Sequence, residues 1–133
     1  KMQWTNALST RPSLEAAVAE VVEVATAELQ APIDLGIVFI SSAFTSEYPR
    51  LLPLLKERLS IPVLIGCSGG GIIGTARHEQ IQEIEDLPAL SLTLAHLPAV
   101  QVMPFHVVAE ELPDLDSSPN TWEDLLGIPT SPT

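Results

Sequence analysis

Apolar positions along the chain follow two periods. Leu14, Val18, Val21, Val22, Ala25 and Leu29 recur at helical spacing, while Glu15, Glu20, Glu23 and Glu28 fall off that stripe. With Ser13 placed to cap, residues 13–30 are predicted to form an amphipathic helix with one buried face. Val24 is the exception, landing among the acids. Before it, Gln3 to Ser9 carries β-favouring Trp4 and Thr5 and reads as a first strand. Leu35-Gly36-Ile37-Val38-Phe39-Ile40 is a near-continuous apolar run, the pattern of a strand covered on both faces. Ser41 to Phe44 then forms its exit loop. A second helix is expected from a cap at Ser46 to about Leu59, with Pro49 in its first turn and a kink or late start at Pro53. Ile61 to Ile65 reads as the third strand.

Strand, helix, strand, helix, strand is the order of a parallel βαβαβ unit. Beyond it the rhythm changes. Ala89 to Ala95 alternates apolar and small polar residues, Leu97 to Val100 suits a turn, and Val102 to Val108 reads as another strand, so this pair is expected as an antiparallel hairpin. Residues 75–87 stay open between a helix and an irregular edge. The fold class expected is α/β: a layered sheet with a parallel start, an added antiparallel hairpin, and helices packed on the sheet. Residues 1–109 would form the domain, and 110–133, acidic and proline-rich with one short helical turn at 121–126 capped by Asn120, a linker.

Five of the seven glycines fall between Gly66 and Gly74, in Gly66-Cys67-Ser68-Gly69-Gly70-Gly71-Ile72-Ile73-Gly74. Glycine costs backbone entropy, so the cluster requires positive φ, close backbone approach or room for a ligand. Placed after the third strand, it reads as a glycine-rich loop at the carboxyl end of a sheet, where ligands commonly bind. Gly69 to Gly74 matches G-x-G-x-x-G, but it follows the third strand and opens no helix, so a dinucleotide is not expected. No Lys-Ser or Lys-Thr pair follows, which excludes a P-loop. Backbone N–H groups of the run could still cradle a carboxylate or phosphate. Ser41 and Ser42, at the exit of the neighbouring strand, would share that end with Cys67 and Ser68. Arg77 would be a natural partner for a ligand carboxylate.

The chain holds 133 residues, 17 acidic and 6 basic, for a net charge of −11. So few cations argue against nucleic acid and against an anionic membrane surface. No apolar run reaches the length of a membrane span, and the N-terminus lacks the pattern of a signal peptide. One cysteine rules out an internal disulfide and fits a reducing, cytoplasmic compartment. The histidines, His78, His96 and His106, lack metal-site spacing, so no metal and no cofactor are expected. Cys67 as a nucleophile, with Arg77, His78, His96 or His106 nearby, is the alternative enzyme reading. A protein-interaction scaffold with a purely structural glycine run is the third.

The glycine run resembles the Gly-Cys-Ser signature of the FIST N-terminal domain, named for F-box and intracellular signal transduction proteins. Trp4 to Ser9, Leu35 to Ile40, Ala89 to Leu92, Leu97-Pro98 and Phe105-His106 agree with it. Gly69 and Ile72 stand where many members carry Thr and Glu, which is similar to the Gly-Cys-Ser-Gly-x-Gly subgroup found in bacterial single proteins and F-box proteins. The resemblance implies a non-catalytic sensory module for a small ligand, an amino acid or other small carboxylate. It implies no catalytic residues. The remaining FIST segments of a longer protein and a signalling partner would complete the assembly, with this chain a fragment of the N-terminal domain. The residues expected at the ligand are Ser41, Ser42, Gly66, Cys67, Ser68, Gly69, Gly70, Gly71, Gly74 and Arg77.

Overall fold

The computed structural model describes residues 1–77 and 80–128. Two compact units divide it, Lys1–Val102 and Met103–Thr133. The first unit contains strands β1 (Gln3–Ser9), β2 (Leu35–Ser41), β3 (Leu64–Gly69), β4 (Gly71–Ala76), β5 (Gln80–Glu85) and β6 (Leu90–His96), with helices α1 (Leu14–Glu28) and α2 (Tyr48–Arg58). The second contains a 3-10 turn at Ala109–Glu111 and α3 (Pro119–Leu126).

The main sheet has the order β1-β6-β2-β3. β2 and β3 pair in parallel, and β6 runs antiparallel to both β1 and β2. The three strands of the expected βαβαβ unit therefore point one way, with β6 inserted between the first two. The other two strands, β4 and β5, form a separate antiparallel pair. Mixed α/β architecture is as expected; the hairpin is not where it was expected. Ala89–Ala95 does not pair with Val102–Val108. Its strand is held on both edges by β1 and β2, and 102–108 carries no strand. The hairpin comes instead from residues 71–85.

Helix α1 forms where its period predicts, and the Ser13 hydroxyl accepts the Ala16 N–H at 3.4 Å. Leu14, Val18, Val21, Val22 and Ala25 pack with Ala7 of β1, Val38 and Ile40 of β2, and Leu90, Leu92 and Leu94 of β6. The Thr5 hydroxyl, buried in the same layer, donates to the Ala25 carbonyl at 3.0 Å. Ser41 to Phe44 is not an open loop: a 3-10 turn spans Ser42–Glu47, and α2 then starts at Tyr48 without a side-chain cap, so Ser46 does not cap it. α2 continues through Pro53, whose missing N–H would have met the Pro49 carbonyl; both prolines are exposed, so water can satisfy that oxygen.

On the opposite face the sheet is covered unevenly. Ile72 and the partly buried Ile84 of the hairpin pack with Leu8 of β1 and with Ala89. Phe39 and Ile65, on the β2–β3 half, stay 39% and 46% exposed. β2 is thus fully covered only on its helix side, contrary to its uniform apolar pattern.

The glycine run is not a loop. Gly66 and Gly69 lie in β3, Gly71 and Gly74 in β4, and only Gly70 forms the bend between them. The third strand is accordingly displaced from 61–65 to Leu64–Gly69, because β2 sets its register, from Gly36 opposite Leu64 to Ser41 opposite Gly69. Among the described residues the one glycine with positive φ is Gly127, so left-handed backbone does not explain the cluster. Close approach does at two positions. A Cβ at Gly66 would sit 2.0 Å from the Val38 carbonyl oxygen, and one at Gly74 would meet Leu8 Cβ at 2.9 Å and Ser91 Oγ at 3.0 Å. At Gly70 it would meet nothing within 4 Å.

These contacts set an order of mutational cost. Gly66→Ala and Gly74→Ala are each expected to destabilise the protein by about 1–3 kcal/mol through overpacking, while Gly70→Ala stays within about 0.5 kcal/mol of wild type. Urea unfolding of the three variants measures this; equal losses at all three would refute the assignment.

Candidate functional site

The parallel pairing brings the carboxyl ends of β2 and β3 together. Phe39 lies opposite Cys67, Ile40 opposite Ser68 and Ser41 opposite Gly69. The candidate residues at this end differ in what they can still do. Ser41 is 1% exposed; its hydroxyl donates to the Leu87 carbonyl at 2.7 Å and accepts the Ala43 N–H at 3.1 Å. It closes the fold around the start of the 3-10 turn. Ser42 is exposed beside it. Gly66 and Gly74 are occupied by close packing. Cys67, Ser68, Gly70 and Gly71 are exposed, and the Gly70 carbonyl accepts the Asp86 N–H at 3.3 Å.

Arg77 is not part of this group. It follows β4, which crosses the sheet face from β6 toward β1: the Thr75 N–H donates to Asn6 Oδ1 at 2.7 Å. Its guanidinium Nη2 lies 3.1 Å from Glu20 Oε2. Arg11 Nε approaches the same oxygen at 3.2 Å. Nothing in the sequence pattern points to Arg11 and Glu20 meeting Arg77, since they are separated from it by more than fifty positions and follow no common motif. Glu20 sits on α1 facing the end of β1, and its side chain is 14% exposed. An open cleft of about 480 Å³ borders the three, lined also by Leu8, Thr10, Ala76, Gln80 and Gln82.

Partial burial opposes ionisation of Glu20. Hydrogen bonds from Ser9 and Arg11 and the charges of Arg11 and Arg77 outweigh it and hold the carboxyl below its ordinary value of 4.5.

His96 is placed for structure. Its Nδ1 lies 2.9 Å from the Pro32 carbonyl oxygen and 3.3 Å from Asp34 Oδ2, and Asp34 also accepts the Leu97 N–H at 2.7 Å. It pairs with Gln3 at the far end of β6, whereas Cys67 stands in the row of Phe39, Ser91 and Leu8. Five residues of strand separate those rows, about 17 Å at about 3.3 Å per residue, so His96 does not serve Cys67 as a base. His106 is exposed in the second unit, and His78 lies outside the described residues. Among the described residues, no three His, Cys, Asp or Glu side chains gather as a metal site, and no helix is long and apolar enough to cross a membrane.

The lowered pKa of Glu20 fixes the sign of a stability effect. A depressed carboxyl pKa contributes stability above its unfolded value, and that contribution is lost as pH falls through the folded value. Glu20→Gln should therefore destabilise the protein at pH 7, with the difference from wild type disappearing as the pH drops below that of a free carboxyl. Paired urea melts across this range check it; a difference unchanged down to pH 3 would show that Glu20 acts by packing alone.

Comparison with known proteins adds one finding. The model of the FIST N domain matches residues 34–122, from the start of β2 into α3. No curated protein and no solved structure matches the chain. The match takes in the strand ends, the whole glycine run and the hairpin, the same features that set this fold apart from a plain parallel sheet. With two thirds of its length matched, this chain belongs to the FIST N domain family.

Proposed function

We propose that this chain is a small-ligand-sensing module of intracellular signal transduction, cytoplasmic and without catalytic chemistry of its own. Membership of a sensory domain family supports the general role. The ligand is an amino acid or another small carboxylate. Its contact surface is the carboxyl end of β2 and β3: Ser42, Cys67, Ser68, Gly69, Gly70 and Gly71.

Gly70 carries this reading. Glycine inside regular structure costs about 0.5–1 kcal/mol relative to alanine. At Gly66 and Gly74 internal packing accounts for that cost. Gly70 lies in the bend between β3 and β4, and among the described residues neither a positive φ nor a close contact requires glycine there: its Cβ direction is open. A bare backbone there leaves room for something outside the chain to come close. Exposure of Cys67 on the same strand gives the surface a soft, small side chain without a base beside it from His96.

A thermal-shift screen of free amino acids and small carboxylates tests the reading. A binding compound should raise the Tm of wild type. Gly70→Val should keep its own Tm within about 2 °C of wild type and lose that rise. A variant that melts far lower yet still responds would make the bend architecture and reject it as a ligand surface.

A further inference from the structure

Arginine is scarce in this chain, and the way its guanidiniums are shared differs between two places. Arg50 is held by two carboxylates, Glu15 and Glu47. That group carries a net charge of −1. At the end of β1 the ratio is inverted: Arg11 and Arg77 converge on one carboxylate oxygen, Glu20 Oε2. That group carries a net charge of +1, in a chain of −11.

We propose that the cleft between Arg11 and Arg77 binds a small oxyanion, a carboxylate or a phosphate. Each guanidinium has five N–H donors. Among the described residues, Glu20 engages Nε of Arg11 and Nη2 of Arg77, which leaves both Nη groups of Arg11 and the Nε and Nη1 of Arg77 for a second acceptor. The two side chains are 56% and 61% exposed, so these donors are reachable from solvent. Glu20 does not compete for the role. Its side chain is the less exposed partner, and by fixing one donor of each arginine it orients both planar forks before an anion arrives. That lowers the ordering cost of binding. Gln80, Gln82 and Thr10 add neutral polar groups to the rim, and Leu8 and Ala76 an apolar floor, in a cleft of about 480 Å³. A volume of that order suits a small molecule.

The site goes beyond the reading above and does not depend on it. It lies at the end of β1, where Gly70 contributes nothing, and Arg11 and Glu20 fall outside the residues matched by the family model. Of the three charged residues, only Arg77 lies within them.

The test is an NMR titration of the full chain with inorganic phosphate and, separately, acetate, following the side-chain Nε–H signals of Arg11 and Arg77. Sodium chloride holds ionic strength constant. A saturable shift at both signals is expected with at least one anion. Arg11→Ala and Arg77→Ala should each weaken it about tenfold, and Arg77→Lys less, because the charge stays while the fork is lost. Arg50→Ala should leave it unchanged. Saturation by acetate alone, phosphate alone or both identifies the oxyanion class and supports the site. If neither anion shifts the signals, or if Arg50→Ala weakens binding as much as Arg77→Ala, the proposal is overturned. Thermal melts of each variant, with Arg77→Gln as a second substitution at that position, separate lost binding from lost folding.

Discussion

The contact of β4 with the sheet at Gly74 and Asn6 is the constraint on which the rest of the first unit turns. A strand backbone can lie against another sheet this closely only where no side chain intervenes, and Gly74 supplies that gap over Leu8 and Ser91. Polar groups brought into such a contact need partners. Asn6 provides them from one side chain: its Oδ1 accepts the Thr75 N–H at 2.7 Å, and its Nδ2 donates to Thr93 Oγ1 at 2.9 Å and Ser91 Oγ at 3.1 Å. One amide thus joins β1, β6 and β4, and Ile72 is carried into its pocket beside Leu8 and Ala89. The same contact aims β4 across the sheet toward β1, which brings Arg77 to Arg11 and Glu20.

Local periodicity made parts of this fold legible. The stripe from Leu14 to Ala25 marks α1, and the apolar run from Leu35 marks β2, because both elements bury side chains on a regular spacing against one core. The glycine run reads as a loop because clustered glycines after an apolar strand usually mark a turn or a ligand loop. Tertiary pairing overrides that preference here. β2 templates β3 through Gly66 and Gly69, and the approach to Leu8 and Ser91 requires glycine within β4. Strand character was equally legible at Ala89–Ala95, but its partners were not. β6 pairs with residues 50 to 60 positions earlier in β2 and 81 to 93 earlier in β1, whereas the nearer 102–108, with good β-type composition, carries no strand. Composition reports the tendency to form a strand; it does not report which edge is vacant.

The same division applies to the candidate sites. Parallel pairing of β2 with β3 follows from a short helical connection, so a shared sheet end for Ser41 and Cys67 could be anticipated from element order, though not the register that sets Ser41 opposite Gly69. The environment of each residue could not. Ser41 becomes a buried fastener for Leu87 and Ala43, Ser42 next to it faces solvent, and Arg77 leaves the group because β4 leads it elsewhere. Which guanidinium meets which carboxylate depends on three elements at once, and no spacing along the chain encodes it.

Gly70 and Arg77 immediately flank β4, so the two candidate positions are the two ends of a single strand. Seven residue steps at about 3.3 Å put them at most roughly 23 Å apart. Between them the strand is fixed by Gly74 and Asn6 and stiffened by its ladder with β5, from Gly71 opposite Glu85 to Ala76 opposite Gln80. The contact with Leu8, Ser91 and Asn6 lies between the two ends. What separates the ends is chemistry. The Gly70 end offers main chain and small side chains beside the acidic residues Glu83, Glu85 and Asp86. The Arg77 end offers two cations and one anion whose geometry is already set. One hairpin laid across a sheet thus presents a bare backbone surface bordered by acids at one end and a preorganised cationic one at the other, and both rest on a glycine that makes room for the crossing.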